Sequence, residues 1–497
     1  MRLNYKTIGH FFGLLLLCNG AFILTAGVVS YGYGEDITNA ILYSASIVLG
    51  LGLLTMFVTK NHSREMGKRD GYIVVALGWV VMALSGSLPY VMTGVIPEFT
   101  NAFFETVSGY TTTGATVLSD IESVPKGLLF WRSLTHWIGG MGIIVLAIAI
   151  LPLLGIGGMQ LFTAEAPGLS SDKLHPRITD TAKRLWYIYV GLTFVETILL
   201  KWAGMSFFDA INHAMSTVST GGFSTKNTSL MYYNHLPMVH YIVMIFMFIA
   251  GSNFVLTYFA IKGKFRKIWA DEEFRLYVKF IIVFTLFCAG IIYLNSDFLI
   301  PSDAFPMVYG IYEADFRHAL FQVLSVVTTT GFVTADFTAW TPFLTVLFFG
   351  LMFLGGSSGS TSGGVKVVRH LVTIRNGFLE FKRALHPNAV LPVRFNKKII
   401  SETIVFNVLA FFILYMLSFI IGALVLSAIG LDFVSAVGVS ASSLGNIGPA
   451  LGDYSPVDTF TAMPALAKWW CAFLMLIGRL ELFTVLILFT PFFWRNR

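Results

Sequence analysis

Apolar segments of membrane-spanning length recur along the whole sequence and constrain its fold more than any other feature. A helix needs about 20 predominantly apolar residues to cross the hydrocarbon core of a bilayer. Hydrophobic residues make up 56% of the 497 residues, whereas charged residues make up only 12%. The sequence therefore predicts an all-α integral membrane protein with about ten transmembrane helices, near residues 8–31, 38–59, 71–95, 128–154, 184–203, 237–261, 277–294, 340–370, 400–428 and 465–493.

Basic residues in the connections predict how these helices are oriented. The connection "KNHSREMGKRD" at 60–70 is strongly basic, whereas "YGYGEDIT" at 31–38 is acidic and has no basic residue. Alternation places the basic stretches at 262–267 and 366–398 and the terminal "WRNR" on the same side as 60–70. By the positive-inside rule both termini are cytoplasmic, which agrees with an even number of spans. The net charge of +6 thus reflects membrane topology, and nucleic acid is not an expected partner.

Four outward-facing connections contain related stretches with a glycine at the centre. They read "AFFETVSGYTTTGATV" around Gly114, "AINHAMSTVSTGGFST" around Gly221, "ALFQVLSVVTTTGFVT" around Gly331 and "AVGVSASSLGNIGPAL" around Gly448. The four glycines are roughly 110 residues apart, the regular period of an internal repeat. The sequence predicts an N-terminal helix pair at 1–66 and four units of span, half-helix, turn and span, at 67–160, 161–265, 266–398 and 399–497.

The glycine-centred turns predict a cation-binding filter. A half-helix that enters the membrane and ends before a glycine leaves an extended segment whose carbonyl oxygens point toward a common axis, and glycine permits the positive φ of such a turn. Four segments around one axis form a ring of carbonyls that replaces the hydration shell of a cation such as potassium. The predicted filter residues are Thr111, Thr112, Thr113, Gly114, Val218, Ser219, Thr220, Gly221, Thr328, Thr329, Thr330, Gly331, Gly445, Asn446, Ile447 and Gly448.

A glycine- and serine-rich run, "FLGGSSGSTSGGVKVVRH" at 353–370, follows an unusually short apolar stretch at 341–354. As a helix that stretch covers only about 21 Å, less than the bilayer core of about 30 Å. The chain is therefore predicted to unwind inside the membrane, which is tolerated where protein buries the backbone or where the backbone lines a water-filled cavity. The alternative is a flexible cytoplasmic linker after a short or tilted span. A phosphate-binding loop is disfavoured because "GGVKV" lacks the Gly-Lys-Ser/Thr ending.

Arg479 lies in the apolar segment "WWCAFLMLIGRLELFTVLIL", where a charge is costly and typical of function. The alternative is a structural arginine that pairs with Glu481 or extends to the interface, although residues two apart on a helix do not face each other. We predict a gate in which Arg479 holds the glycine-rich loop across the pore. Its residues are Gly355, Gly356, Ser357, Ser358, Gly359, Ser360, Thr361, Ser362, Gly363, Gly364 and Arg479.

Other polar residues in the apolar segments receive structural interpretations. Glu105, Asn212 and Gln322 precede their glycines by equal distances and are expected to hold the filter backbone by hydrogen bonds, to face water or to tune cation access. His136, His213 and His318 lack metal-ligand spacing and are expected to be core or interfacial histidines. The three cysteines, far apart within apolar segments, suggest no disulfide or metal framework.

The four glycine-centred stretches, together with "RSLTHWIGGMGIIVLAIAILPLLGIGGMQLF", "GGSSGSTSGGVKVVRH" and "MLIGRLELF", resemble the TrkH/TrkG/KtrB superfamily of potassium-translocating subunits, most closely its TrkH branch. The resemblance covers nearly the whole chain. It implies one pseudo-fourfold pore per subunit, a homodimer in a bacterial inner membrane, and a cytoplasmic ring of nucleotide-binding, TrkA-like regulatory subunits. It also implies that Arg479 lines the pore beneath the filter, close to the glycine-rich loop.

The expected function is potassium uptake through a gated, channel-like pore. The alternative is a secondary potassium symporter, coupled to protons or sodium, in which broken helices form an alternating-access site. An enzyme is not expected, because no nucleophile, base or metal cluster converges. Potassium is the expected transported ion and no organic cofactor is expected. Membrane lipid surrounds the chain, and the docking face for a regulatory partner is expected at 157–183, 262–275 and 371–398.

Overall fold

The structure, a computed structural model, describes residues 3–62, 67–145, 174–295 and 308–495. Two long N-terminal helices pack side by side and are joined by the acidic turn near Glu35. In this turn Glu35 also accepts hydrogen bonds from the backbone N–H groups of Lys126 (2.5 Å) and Gly127 (3.0 Å), at the start of a later helix. The pair is therefore fixed to the first repeat. Its helices are α1 (Tyr5–Gly32) and α2 (Thr38–Val58).

The remaining helices fall into four successive groups, each containing one short helix that leads into a glycine-centred turn. The first group comprises α3 (Lys68–Gly86), α4 (Leu88–Thr93), α5 (Phe99–Tyr110) and α6 (Lys126–Val145). The second comprises α7 (Leu174–Trp202), α8 (Phe207–Val218), the 3-10 helix Ser229–Tyr233, α9 (Pro237–Ala250), α10 (Phe254–Ile261) and α11 (Phe265–Ala270).

The third and fourth groups repeat this order and are separated by a small antiparallel hairpin of two strands. The third comprises α12 (Glu272–Leu294), α13 (Ile311–Val327), α14 (Pro342–Leu351) and α15 (Val367–Leu385). The hairpin is formed by β1 (Arg394–Phe395) and β2 (Lys398–Ile399). The fourth comprises α16 (Glu402–Ile429), α17 (Phe433–Gly445), the 3-10 helix Gly452–Tyr454, α18 (Ala465–Arg479), α19 (Phe483–Leu486), the 3-10 helix Ile487–Phe489 and α20 (Pro491–Trp494).

Side-chain caps define where two of the half-helices begin. Ser206 Oγ accepts a hydrogen bond from Asp209 N (3.0 Å) at the start of α8, and Asp432 Oδ2 accepts one from Val434 N (3.0 Å) at the start of α17. Such caps satisfy N–H groups that have no partner within the helix. Beyond these starts the half-helices enter the protein, and every residue of α5 from 102 to 110 is buried. The four half-helices α5, α8, α13 and α17 therefore lie in the interior of the molecule.

By length and composition, six helical segments of the described residues can cross a membrane: α1, α2, Lys68–Thr93, Lys183–Trp202, α12 and α16. Two further candidates are helix pairs bent by 111° between α9 and α10 and by 112° after α18. The predicted span at 340–370 is interrupted after the ten residues of α14. The predicted end of the span at 128–154 lies outside the described residues. The all-α membrane fold is confirmed, and three of the predicted spans, at 237–261, 340–370 and 465–493, are broken within the described residues.

Candidate functional site

The four half-helices end in the same backbone geometry. In each repeat, one residue just after the half-helix has a left-handed conformation: the second residue after α5, α8 and α13, and the first after α17. The N–H group of the residue that follows it donates a hydrogen bond back to a serine carbonyl in the last turn of the half-helix. This is the hydrogen bond of a Schellman-type C-cap, which reverses the chain direction. The left-handed residues are Thr112 (φ 51°), Thr220 (φ 55°), Thr329 (φ 55°) and Asn446 (φ 55°). The returning hydrogen bonds are Thr113 to Ser108 (2.9 Å), Gly221 to Ser216 (2.8 Å), Thr330 to Ser325 (2.8 Å) and Ile447 to Ser442 (3.0 Å).

Three of these left-handed residues are threonines, which rarely adopt a positive φ because the β-branch crowds the backbone. Strain of this kind persists only where the surrounding structure holds it in place. All three threonines are fully buried. The turns are therefore held by their packing against neighbouring repeats.

A glycine with positive φ follows each left-handed residue by two positions, and these glycines form a closed ring. A Cβ atom added to any of them would lie no more than 2.5 Å from a carbonyl oxygen of the next repeat. The order runs once around the molecule and returns to its start: Gly114 faces Gly221 O, Gly222 faces Thr330 O, Gly331 faces Ile447 O, and Gly448 faces Thr113 O. The four segments thus surround one axis, with one carbonyl of each repeat beside the glycine of another.

The ring corrects the predicted alignment of the second repeat by one residue. The equivalent of Gly114 is Gly222 (φ 84°), not Gly221. A Cβ at Gly221 would instead overlap the ring of His136, which lies behind the turn. The predicted member Val218 is the last residue of α8, so the segment of this repeat is 219–222. The sequence has two consecutive glycines here, and their spacings to the glycines of the other repeats differ by only one residue. The sequence alone therefore could not show which of the two belongs to the ring.

Polar side chains of the half-helices support the chain just beyond the ring. Glu105 accepts hydrogen bonds from Val117 N (2.8 Å) and Thr116 Oγ1 (3.0 Å). Gln322 Nε2 donates to Ala335 O (3.1 Å) in the third repeat. These contacts agree with the hydrogen-bonding interpretation made for both residues from the sequence.

The corrected alignment also changes which residue supports the second repeat. Asn212 donates to Phe208 O of its own helix (2.7 Å) rather than to the outer segment. The supporting position is held by the following residue, because His213 Nε2 forms a hydrogen bond with Ser224 Oγ (2.9 Å). His213 therefore has the supporting role that was predicted for Asn212.

A cavity of about 80 Å³ borders the ring and is lined by all four of its glycines. Asn227 also lines this cavity and donates a hydrogen bond through Nδ2 to Asp120 Oδ1 (3.0 Å). This hydrogen bond lowers the pKa of the exposed Asp120 carboxyl group. The lining of the cavity itself carries charges of both signs, from Arg132, Lys226 and Asp458.

The glycine-rich loop is a buried segment packed against the ring. α14 ends at Leu351 and α15 begins at Val367, and the side chains of Ser357 and Thr361 between them are no more than 1% exposed. Thr361 Oγ1 donates to Val218 O (3.0 Å), and Gly363 N donates to Thr329 Oγ1 (2.6 Å). An exposed linker would make no such contacts. The predicted unwinding is therefore present, and it begins a few residues before Gly355.

Arg479 connects the loop to the first repeat. Its Nη1 donates to Thr361 O (2.7 Å) and its Nη2 donates to Gly139 O (3.3 Å). Glu481 forms an ion pair with Arg369 in the first turn of α15 instead. The alternative in which Arg479 pairs with Glu481 is therefore wrong, and the contact of the arginine with a loop carbonyl is present as predicted.

Known proteins share the sequence pattern of this chain. The profile of the TrkH family, described as cation transport proteins, matches residues 36–496. The chain belongs to the TrkH family. It is 39% identical to the Trk system potassium uptake protein TrkH of Escherichia coli strain K12 over 99% of this chain and 100% of that protein. It is 35% identical to the Trk system potassium uptake protein TrkG of the same strain over 99% of each chain.

A solved structure agrees with the TrkH assignment. The crystal structure of the potassium transporter TrkH from Vibrio parahaemolyticus superposes with a TM-score of 0.89 and 38% sequence identity, covering 99% of this chain and 100% of that one. The resemblance to the TrkH branch is thereby confirmed. Because the family consists of transport proteins, the expectation of a transporter and not an enzyme is also confirmed.

Two charged residues that sequence reasoning missed hold this TrkH-family site together. Arg132 is 2% exposed; its Nε pairs with Glu105 (2.7 Å), and its Nη1 donates to Ser224 O (2.9 Å) in the next repeat. Glu273 Oε1 accepts hydrogen bonds from Ser358 N (2.6 Å) and Val368 N (3.2 Å), one within the loop and one just after it. A charge inside or beside a predicted span was the available signal for both residues.

The remaining sequence predictions concern metal ions and partner docking. Within the described ranges, no group of three or more His, Cys, Asp or Glu residues could hold a metal ion. The predicted docking segment at 371–398 comprises most of α15 and the start of the hairpin, and it exposes the aromatic side chains of Phe378 and Phe381. Most of the segment predicted at 157–183 lies outside the described residues.

Proposed function

We propose that this chain takes up potassium across the bacterial inner membrane through a gated, channel-like pore. The observation that carries the proposal is the closed ring in which the glycine of each of four repeats lies beside a carbonyl oxygen of the next. Such a ring offers a dehydrated cation several oxygen ligands at once. The choice of potassium is supported by the names of the relatives, which are potassium uptake proteins at 35–39% identity over nearly the full chain.

The glycines explain how backbone, and not side chains, would form the filter. A side chain at Gly114, Gly222, Gly331 or Gly448 would occupy the space of a neighbouring carbonyl oxygen. The buried caps and the Glu105–Arg132 pair limit how far the carbonyls can rotate. In the proposed filter, the segments 111–114, 219–222, 328–331 and 445–448 bind potassium through these carbonyls.

The loop at 355–364 and Arg479 form the proposed gate. The loop packs against Thr329 of the proposed filter and against Val218 O at the end of α8, and Arg479 places a positive charge against Thr361 O. A fixed guanidinium repels cations, and its several donors hold the loop in place. Opening then requires that the hydrogen bonds of Arg479 be released and that the loop move off the axis.

Regulation is proposed to come from the cytoplasmic side. The relatives are named as parts of a Trk system, which supports a regulatory partner, here proposed as a ring of nucleotide-binding, TrkA-like subunits that acts on a homodimer of this chain. The segments 262–275 and 371–398 are the proposed docking face. A pull on α15 would reach the loop directly, because Val367 N donates to Gly356 O (3.1 Å).

Flux measurements in liposomes distinguish a channel from the alternative, a proton- or sodium-coupled symporter. Purified protein is placed in vesicles with a potassium gradient, a defined membrane potential, and neither a sodium gradient nor a pH gradient. A channel-like pore conducts potassium until the equilibrium potential is reached, and Gly222→Ser reduces the preference for potassium over sodium. Flux that stops whenever the coupling ion is removed would overturn the channel proposal and support the symporter.

A further inference from the structure

The left-handed residue of the third repeat differs from its three counterparts in what its side chain contacts. Thr329 Oγ1 accepts a hydrogen bond from Gly363 N of the loop at 2.6 Å. Thr220 Oγ1 donates to the adjacent Ser219 O (2.6 Å), whereas Asn446 Nδ2 donates to Thr113 Oγ1 (3.0 Å) and Met475 O (2.9 Å). Thr112 Oγ1 is buried and has no hydrogen-bond partner within the described part of the chain. Among the described residues, the side chain at this position therefore forms a hydrogen bond with the loop in the third repeat only.

Thr329 also lies next to the carbonyl ring. It directly precedes Thr330, whose carbonyl oxygen faces Gly222, and its own φ of 55° is strained for a threonine. The hydrogen bond from Gly363 is therefore made to a residue whose backbone angles set the direction of a ring carbonyl. A change at this contact is transmitted through one peptide unit to the ring.

The loop fits tightly at this point. A Cβ at Gly363 would lie 2.5 Å from Gly445 O and 2.9 Å from Asn446 Cβ, so Gly363 also packs against the end of α17. Thr361, two residues earlier, contacts Val218 O at the end of α8. The loop thus contacts three of the four repeats at the base of their half-helices, and its displacement removes contacts from each of them.

We propose that Thr329 is a positioning residue that couples the loop to the carbonyl ring, so that the position of the loop and the ion in the ring influence each other. This inference rests on the proposed filter and gate. Coupling between two sites is reciprocal. Therefore an ion that fits the ring stabilises the closed loop, and release of the loop changes the ring's preference among ions.

The reciprocal effect is measured by hydrogen exchange of the loop amides in the purified full-length protein, in potassium and in sodium at equal ionic strength. Potassium is expected to slow exchange in the segment 355–364 by about threefold to tenfold, the range that one hydrogen bond supports. Thr329→Val keeps the shape of the side chain but lacks the hydroxyl, and it is expected to abolish the difference between the two ions. Thr329→Ser keeps the hydroxyl and is expected to retain that difference.

Thr106→Val is the control, because it makes the same change at a buried threonine outside the filter segments, whose Oγ1 donates to Ala102 O of its own helix (2.7 Å). It is expected to leave the ion dependence of loop exchange unchanged. If Thr329→Val fails to fold, Thr329→Ala removes the hydroxyl with less crowding of the backbone and carries the same expectation.

Two outcomes overturn the coupling: a wild-type loop whose exchange is the same in potassium and sodium, or a hydroxyl-less variant at Thr329 that keeps the wild-type ion dependence. Potassium conduction in liposomes is measured on the same preparations. Because conduction tests the proposed pore and exchange tests the coupling, a protein that conducts normally without ion-dependent exchange refutes only the coupling. A protein that shows no conduction refutes the proposed function itself.

Discussion

Arg369 and Glu481 form a partly buried ion pair that joins α15, the helix following the glycine-rich loop, to the break after α18. Glu481 lies at that break with a φ of 57°, and the guanidinium of Arg369 lies 3.9 Å from the ring centroid of Phe411. The loop is thus held at two places by the fourth repeat, by Arg479 at Thr361 and by Glu481 just beyond the loop's end.

We expect a double-mutant cycle of Arg369→Met and Glu481→Gln to give a coupling energy of about 1–3 kcal/mol, as for other contacting polar pairs. The measurement is the thermal stability of the purified protein for both single variants and the double variant. Arg375→Met with Glu272→Gln, a pair nearer the surface with an N–O distance of 2.6 Å, is the control and is expected to give about 0–1 kcal/mol. Additive effects at Arg369 and Glu481 would show that this ion pair contributes nothing.

Replacement of Arg479 by alanine is expected to raise potassium flux by about tenfold, the effect of lowering a barrier by roughly 1.4 kcal/mol. The change removes a positive charge and two hydrogen bonds that hold the loop and the first repeat. A loop shortened within 355–364 is expected to act in the same direction and to weaken dependence on a regulatory partner. Liposome flux is the measurement, and wild-type rates in both variants would mean that the loop is not a gate.

The selectivity of that more active variant distinguishes two views of the gate. If the carbonyl ring were independent of the loop, the preference for potassium over sodium would be unchanged in Arg479→Ala. The contact between Thr329 and Gly363 instead predicts a measurable loss of preference when the loop is released. Reversal potentials with potassium on one side and sodium on the other measure it directly.

The two glycines of the second repeat are expected to respond differently to a second substitution. Both Gly221→Ala and Gly222→Ala should destabilise the protein by about 3 kcal/mol or more, because each Cβ overlaps a buried group. His136→Ala is expected to restore stability to Gly221→Ala, since the overlapping atoms belong to the His136 ring. It should not restore Gly222→Ala, whose Cβ overlaps the backbone oxygen of Thr330. Rescue of Gly222→Ala in thermal denaturation would contradict the corrected alignment.

Glu273→Leu is expected to loosen the loop, because Ser358 N and Val368 N then lose their buried hydrogen-bond acceptor. Faster hydrogen exchange of the segment 355–364 is the expected result. The adjacent Glu272→Gln removes a carboxylate that pairs with Arg375 and does not contact the loop. Equal exchange rates in the two variants would remove Glu273 from the proposed gate.

Membrane orientation is tested by a cysteine placed at Asn388, in the basic segment between α15 and the hairpin. We expect an impermeant thiol reagent to label it in inside-out vesicles and not in intact cells, because basic loops stay in the cytoplasm. Cys18, the most accessible native cysteine, is first replaced by serine in the same background. Labelling in intact cells would reverse the predicted topology and the proposed direction of the pore.

The sequence predicted the features that depend on local composition. Four glycine-centred turns and a loop too polar for an apolar span were visible in the residue pattern, and both are present. The breaks after Ala250 and Arg479 were not predicted, because each lies inside an apolar stretch and the sharp bends depend on tertiary contacts. Phe254 N, for example, donates to Gly359 O of the loop (3.2 Å).

Contacts between repeats could not be predicted from the sequence either, because they also depend on the tertiary structure. Arg132 was visible as a charge in a predicted span, but its partners Glu105 and Ser224 O belong to two different repeats. The choice between Gly221 and Gly222 depended on the ring of His136, which comes from another repeat as well. The local sequence pattern therefore located the site, whereas contacts between distant segments determined which residue of each segment belongs to the ring.

The closed order of the ring has a consequence for biosynthesis. Gly448 packs against Thr113 O, and the backbone of the last repeat also meets the first one, where Phe460 N donates to Thr116 O (2.8 Å). The ring therefore cannot close until nearly the whole polypeptide has left the ribosome, since domains made first must wait for their last neighbour. Until then Gly331 lacks its neighbour Ile447 O, and Thr113 O lacks its neighbour Gly448. A chain truncated before α17 therefore leaves the carbonyl ring open between the third and the first repeats.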